Sequence, residues 1–203
     1  MVDVISRRRV LISEMNDHWL VKMISACLKK DSTKYIKSIK IMIEKLLLHM
    51  AEHDTTDSEI KGRDNITQCM LCLNLICICN AELMTNQFAP LLPYLDDVYL
   101  KRNVPKSTMI FYATSIFEMM LAHITKLNSN DATLLFKKLY SLLFIAPKMS
   151  KDAMNSTAKC LCALVTKIKS MIPKLTSIIC AIYKNAINHD SKQDSQQGAM
   201  NRT

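Results

Sequence analysis

Apolar residues recur at steps of three and four through most of this chain, and this spacing limits the fold more than any other feature. Between residues 34 and 50 the stripe contains Ile36, Ile39, Ile43, Leu46, Leu47 and Met50. Such steps place apolar side chains on one face of an α-helix. The same pattern predicts helices at 18–29, 34–50, 66–79, 84–95, 109–124, 131–146, 151–169 and 174–187.

Glycine is almost absent, and its scarcity excludes several classes of protein. Gly62 and Gly198 are the only two glycines in 203 residues. Two glycines cannot form a glycine-rich loop that cradles phosphate, so Walker and dinucleotide-binding motifs are excluded. The turn pairs that join β-hairpins are also missing, which favours helices joined by short connections.

Polar segments mark the ends of the predicted helices. Residues 53–65 form a polar loop, and "LNSNDAT" (127–133) offers Asn130 or Asp131 as a helix cap. Pro147 and Pro173 fall where proline is tolerated near a helix start. The last segment, 191–203, has almost no apolar content and is expected to be a disordered tail.

These lengths predict an all-α fold with about eight helices in antiparallel pairs and a period near 40 residues. Stacked helix pairs of this size are typical of HEAT/armadillo-like solenoids. We therefore predict one solenoid segment over residues 1–190. The internal sequence repeat is weak, so a compact irregular helical domain is the alternative.

Four cysteines lie close together at 66–79, "ITQCMLCLNLICIC", and raise the question of a metal site. On one helix Cys69 and Cys79 would be separated by roughly 15 Å along the axis. A tetrahedral zinc needs every sulfur about 2.3 Å from one point, which an unbroken helix cannot provide. We expect Cys69, Cys72 and Cys79 to pack against neighbouring helices and Cys77 to point elsewhere, with no metal bound.

No catalytic arrangement is recognisable in the sequence. The five histidines are scattered, and neither a zinc-protease motif nor a serine nucleophile elbow occurs. We therefore expect no enzyme activity, no cofactor and no small-molecule ligand. No export signal is evident, which favours reduced thiols, and no apolar run reaches the roughly 20 residues that span a bilayer, so no membrane partner is expected.

Positive charge is unevenly distributed along the chain. The net charge is +9, with ten Lys/Arg against five acids in residues 1–50, two against eight in 51–100, and fifteen against five in 101–203. A basic half favours anionic partners, although a solvated lysine-rich surface is equally consistent with the composition.

Lysines of the C-terminal half are the candidate contacts to DNA or to an acidic partner. Lys148, Lys151 and Lys159 can share a face of a helix that begins after Pro147. Few aromatic or amide side chains accompany them, so contact with phosphates is expected rather than base reading. The full candidate set is Lys148, Lys151, Lys159, Lys167, Lys169, Lys174 and Lys184.

Several segments resemble, in order, the Nipped-B-type cohesin loaders, the large subunit of the cohesin-loading complex. "NAELMTNQFAPLLPYL" (80–95) is similar to a corner between two helices of that family. "STMIFYATSIFEMMLAHI" (107–124), "NSTAKCLCALVTKI" (155–168) and "SIICAIYKNAI" (177–187) resemble the helices that follow. The resemblance covers about residues 62–190, whereas residues 1–61 match poorly.

The resemblance implies a HEAT-repeat segment of a protein that loads the cohesin ring onto chromosomal DNA. Such loaders act in the nucleus, contact cohesin subunits and chromatin, and serve sister chromatid cohesion without being enzymes. A second hypothesis is a HEAT/armadillo adaptor that binds proteins but no nucleic acid. Salt-dependent DNA binding would distinguish the two.

Overall fold

The computed structural model describes residues 15, 17–54, 60–95, 107–144, 149–177 and 179–180. Within these ranges every regular element is helical, and no strand is found. The all-α prediction is therefore confirmed.

Seven α-helices are bounded within the described residues. They are α1 (Trp19–Lys30), α2 (Ser32–Asp54), α3 (Ile60–Asn80), α4 (Phe88–Leu91), α5 (Ser107–His123), α6 (Ser129–Phe144) and α7 (Lys151–Lys167). Short 3-10 segments lie at Ala81–Gln87, Leu92–Leu95 and Lys169–Met171.

The expected number of about eight helices is wrong for this part of the chain, which has seven. The predicted helix 174–187 falls mostly outside the described residues, although residues 172–177 are helical. The predicted helix 84–95 is instead 3-10 on both sides of the single turn α4. Pro90 and Pro93 lack the N–H groups that a continuous α-helix requires, which accounts for the break.

The start of α6 also differs from the prediction of an Asn130 or Asp131 cap. Asn128 takes this role, because its Oδ1 atom accepts a hydrogen bond from the Asn130 backbone N–H at 2.8 Å. An asparagine before a helix satisfies one of the amides that have no partner inside the helix. The helix consequently begins at Ser129, two residues before the predicted 131.

Helix α3 is the centre of the core and packs against α1, α2 and α5. Its residues from Cys69 to Cys77 are all buried, so no side of this stretch faces solvent. A helix that is apolar on all sides is typical of a core surrounded by other helices. Asn74 is the polar exception, and its Nδ2 atom donates to the Tyr112 carbonyl oxygen of α5 at 3.2 Å.

The high hydropathy of residues Asn65–Leu95 is consistent with their position in the core. Residues Asn65–Leu95 are long and apolar enough to cross a membrane by length and composition alone. Of the apolar window within this stretch, 61% is buried inside the fold. The core helix of a packed domain gives the same signal, so this finding is weak evidence for a membrane span.

The segment Leu92–Leu95, which follows α4, packs against α5. Leu92, Leu95 and Phe117 are buried. Phe88 meets Phe117 edge to face, with ring centroids 4.9 Å apart. Phe111 lies on a different side of α5 from Phe117 and is half-buried.

A few side-chain hydrogen bonds join α5 to α7 and to the residue before α7. At their starts the Ser107 hydroxyl accepts from the Ser150 N–H at 2.9 Å. Two turns further on, the Thr114 and Ser156 hydroxyls lie 2.8 Å apart. Both contacts advance along the two helices in the same direction, with separations of 43 and 42 residues along the chain.

The chain forms two compact units, Met1–Leu164 and Val165–Thr203, so the last turn of α7 belongs to the second. The extent of the predicted repeat segment over 1–190 stays a prediction. Its last residues and the tail 191–203 lie outside the described residues.

Candidate interaction surfaces

The described part of the first unit contains two of the candidate lysines, both on α7. Lys151 is the first residue of α7, and Lys159 follows two turns later. Both side chains are exposed. Around the helix they are separated by about 80°, so they lie on one broad side of α7, whereas Lys148 lies outside the described residues.

Lys159 also acts on a carboxylate of the neighbouring helix. Burial raises the pKa of the Glu118 carboxyl on α5, and the positive charge of Lys159 lowers that pKa. Part of the Lys159 charge therefore compensates Glu118. Lys151 has no such neighbour among the described residues, and its charge is available to an external anion.

The second unit contains Lys167, Lys169 and Lys174, whose side chains are all exposed. Lys167 lies in the last turn of α7, where a positive charge interacts favourably with the helix dipole. Lys184 lies outside the described residues. The prediction that these lysines extend the charge of Lys151 and Lys159 along one edge stays a prediction.

The cysteines of α3 behave as core residues. Cys69, Cys72 and Cys77 are buried, as expected for cysteines that pack in the core. Cys79 is half-buried, and its thiol donates to the Val21 carbonyl oxygen of α1 at 3.6 Å. Cys77 lies on a different side of α3 from Cys72 and is buried as well, because other helices surround this part of α3.

Burial suppresses the reactivity of these thiols. Desolvation raises the pKa of Cys69 and of Cys72 to about 11 and that of Cys77 to about 12. It also raises the pKa of Cys160 on α7, with a further contribution from the Glu118 charge. A metal or an electrophile reacts with the thiolate, which such surroundings disfavour.

No group of three or more His, Cys, Asp or Glu side chains gathers as a metal site within the described ranges. His18 instead has a local structural role, since its Nδ1 atom accepts from the Leu20 N–H at the start of α1 at 3.2 Å. Burial lowers the pKa of His18, which favours the neutral ring that can accept this hydrogen bond.

Sequence reasoning missed the outer face of α2. Ile41 is 53% exposed and Leu48 is 61% exposed, although the buried stripe of the same helix contains Ile39, Ile43 and Met50. A signal was present, because Ile41 and Leu48 do not fit the spacing of that stripe. These two residues are exposed aliphatic side chains among lysines.

No family model, no curated protein and no solved structure matches this chain. The resemblance to cohesin loaders therefore rests on the motifs at 80–95, 107–124, 155–168 and 177–187 and on their order.

Proposed function

We propose that this chain is a non-enzymatic scaffold, a HEAT-repeat segment of a cohesin loader that helps load the cohesin ring onto chromosomal DNA in the nucleus. Its partners would be cohesin subunits and DNA. The order of the motifs over residues 62–190 supports the family, and the arrangement of the helices supports the repeat architecture.

The proposal is supported most by the contacts between α5 and α7, which advance in the same direction along both helices. In a solenoid of helix pairs, equivalent helices of successive repeats run parallel, because the second helix of each pair returns the chain to its starting side. The hydrogen bonds that join α5 to α7 and to the residue before α7 connect residues 42, 43 and 45 apart along the chain. HEAT and armadillo repeats have a similar length of about 40–47 residues.

Helix α6 would be the returning helix of this scheme. Helix α6 lies between α5 and α7 in the chain and has the length of a returning helix, from Ser129 to Phe144. Segment Leu92–Leu95 contacts α6, and segment Ala81–Gln87 contacts α5. The corner at 81–95 therefore contacts both α5 and α6, as a joint between successive helical units would.

The DNA contact in this proposal uses the lysines of α7 and of the segments around it. They are Lys148, Lys151, Lys159, Lys167, Lys169, Lys174 and Lys184. Lysine ammonium groups bind phosphates as point charges and do not identify bases. We therefore expect binding that falls steeply with salt and varies little with DNA sequence.

Binding to the cohesin ring is the first test. The purified chain would be mixed with purified cohesin ring and followed by size-exclusion chromatography, with a related ring-shaped chromosome complex as the specificity control. Co-elution with cohesin alone is the expected result. If the chain elutes separately from cohesin over a wide range of concentrations, the loader assignment is wrong.

DNA binding is the second test and separates a loader from an adaptor. The variant Lys148→Glu/Lys151→Glu/Lys159→Glu is expected to bind duplex DNA more weakly, with a salt slope reduced by about one unit per lost phosphate contact. Its control is Lys40→Glu/Lys126→Glu/Lys137→Glu, which reverses three exposed lysines outside the candidate set. An equal loss in both variants would place the DNA contact elsewhere.

A chain that binds a protein partner but no DNA at low salt would support the HEAT/armadillo adaptor instead. The architecture accommodates either function, because stacked helix pairs form extended surfaces for many kinds of partner. The two experiments together distinguish the hypotheses.

A further inference from the structure

The first turn of α1 is capped by a side chain that can change its charge near neutral pH. The Nδ1 atom of His18 accepts a hydrogen bond from the Leu20 backbone N–H at 3.2 Å. The first N–H groups of a helix have no partner inside the helix, so an acceptor placed before it stabilises the first turn. Serine, threonine, aspartate or asparagine usually supplies that acceptor, and none of these four titrates near pH 6. A histidine in this position makes the cap depend on pH.

Protonation removes the cap for two physical reasons. A neutral imidazole has one nitrogen that accepts a hydrogen bond, whereas both nitrogens of the charged ring carry a proton and only donate. The Nδ1 atom of a protonated His18 therefore cannot accept from Leu20. The charged ring would also lie at the positive end of the α1 dipole, where a cation is unfavourable.

Trp19 offers the protonated ring a different partner. The ring centroids of His18 and Trp19 lie 5.7 Å apart, with an angle of 32° between the two ring planes. The face of an indole attracts a cation within about 6 Å of its centroid. The Trp19 side chain is 46% exposed, so a charged imidazole can move over its outer face without entering the core.

The later turns of α1 are held independently of His18. Leu20, Val21 and Ile24 are buried. The Val21 carbonyl oxygen also accepts from the Cys79 thiol of α3 at 3.6 Å. Loss of the cap therefore affects the first turn of α1 and leaves the rest of the helix packed against its neighbours.

Other titratable groups on α1 and on the helices packed against it do not account for this pH dependence. Asp17 and Lys22 form an ion pair at 3.2 Å, and Cys27, Lys29 and Lys30 lie toward the other end of α1. On α3, burial raises the pKa of Cys69, Cys72, Cys77 and Cys79, so these thiols are neutral near pH 6. The described titratable side chains of α2 are Lys34, Tyr35, Lys37, Lys40, Glu44, Lys45, His49 and Glu52. The pKa of His18 is lowered by burial and not by any of these groups.

We propose that His18 is a pH-sensitive cap on α1, which holds the first turn when its ring is neutral and releases that turn when the protonated ring moves to the face of Trp19. Burial lowers the pKa of His18 in the folded chain below the ordinary value of 6.5. A released His18 therefore binds a proton more readily than a capping one. The cap is complete above about pH 6.5 and is lost as the pH falls below that value.

The test is amide hydrogen exchange of the full chain, measured by NMR at pH 7.5 and pH 5.5. Each exchange rate is divided by the rate of an unstructured amide at the same pH, which gives a protection factor. The Leu20 N–H reports the cap, because His18 accepts its hydrogen bond. The Ile24 N–H, further along α1, reports the stability of the packed helix.

Three variants isolate the His18 ring. His18→Asn keeps a capping side chain that does not titrate, and His18→Ala removes the cap at both pH values. His123→Asn is the matched control, since His123 is an exposed histidine on α5. Because His18 is half-buried and asparagine is among the best capping residues, His18→Asn should fold as the parent does.

We expect the Leu20 protection factor to fall about fivefold from pH 7.5 to pH 5.5 in the parent and in His123→Asn, as for an N-cap of ordinary strength. It should stay constant in His18→Asn and be low at both pH values in His18→Ala. The Ile24 protection factor should not change with pH in any of these proteins. Trp19, the one tryptophan of the chain, should lose fluorescence at pH 5.5 in the parent but not in His18→Asn, because an imidazolium quenches an indole.

Three results would overturn the proposal. The first is a Leu20 protection factor that is independent of pH in the parent or falls equally in His18→Asn. The second is an equal loss of protection at Ile24, which would indicate general acid unfolding. The third is an unchanged Trp19 fluorescence in the parent. None of the variants alters a candidate lysine, so the outcome is independent of the proposed DNA contact.

Discussion

Phe117 offers the sharpest test of how the chain packs at the corner between residues 81–95 and α5. Its side chain is fully buried, and its ring meets Phe88 edge to face at 4.9 Å. Truncating a core phenylalanine to alanine costs about 3–5 kcal/mol, through lost burial and the cavity left behind. A typical domain has a free energy of unfolding of about 5–15 kcal/mol, so Phe117→Ala should remove a large part of the stability.

The cost should be measured by urea unfolding followed by circular dichroism. A lower midpoint with an unchanged slope would identify a loss of stability without a change in the surface exposed on unfolding. Phe117→Leu provides a milder variant with an expected cost of about 1–2 kcal/mol, in case the alanine variant does not fold.

Two further variants separate the packing of Phe117 from general effects of removing an aromatic ring. Phe111→Ala is the control. Phe111 is half-buried on α5, so its truncation should lower the free energy of unfolding clearly less than Phe117→Ala does. Phe88→Ala completes a double-mutant cycle, in which the edge-to-face contact should give a coupling of about 0.5–1.5 kcal/mol. If Phe117→Ala costs no more than Phe111→Ala, the corner is not a packed joint.

Three other perturbations follow from burial and hydrogen bonding. At pH 8 an alkylating reagent should modify exposed Cys180 and leave Cys72 intact until the protein unfolds, because burial raises the Cys72 pKa to about 11; mass spectrometry that finds Cys72 modified in the folded chain would contradict its burial. Burial raises the pKa of Glu118 in the folded state, so ionisation opposes folding as pH rises above the unfolded value. Glu118→Gln should therefore increase the midpoint of urea unfolding at pH 7 and change it little at pH 4, and the opposite order would refute this assignment. Thr114→Val should cost about 1 kcal/mol, because it removes the buried hydroxyl contact to Ser156; an unchanged unfolding midpoint would show that the contact does not stabilise α5 against α7.

The helical class and most helix positions follow from the sequence because they depend on local spacing. The stripe from Ile36 to Met50 predicts α2 and its buried side, and the stripe from Met109 predicts α5. The break at 81–95 was harder to predict, since a proline within the first turn of a helix is tolerated and one further along is not. The exact boundaries of the 3-10 segments depend on how Phe88 and Leu92 pack.

The cysteines show which part of a site can be predicted from spacing. A continuous helix at 66–79 argues against a four-sulfur zinc site from geometry alone, and the separate expectation that Cys69 and Cys72 pack in the core is confirmed by their burial. The burial of Cys77, on a different side of the helix, depends on how many neighbours surround α3, and the sequence of one helix does not indicate that number. Helix α3 has neighbours on all sides, and only the packed structure shows this.

The sequence by itself determined that this protein is helical, rich in positive charge and without a phosphate loop, because each of these properties is local or a sum over residues. The tertiary structure decided which residues distant in the chain meet. It brought Ser107 to Ser150 and Thr114 to Ser156, placed Lys159 beside Glu118, and left Ile41 and Leu48 uncovered. Contacts across 42 or 43 residues depend on the directions that the intervening turns impose, and no local pattern encodes those directions.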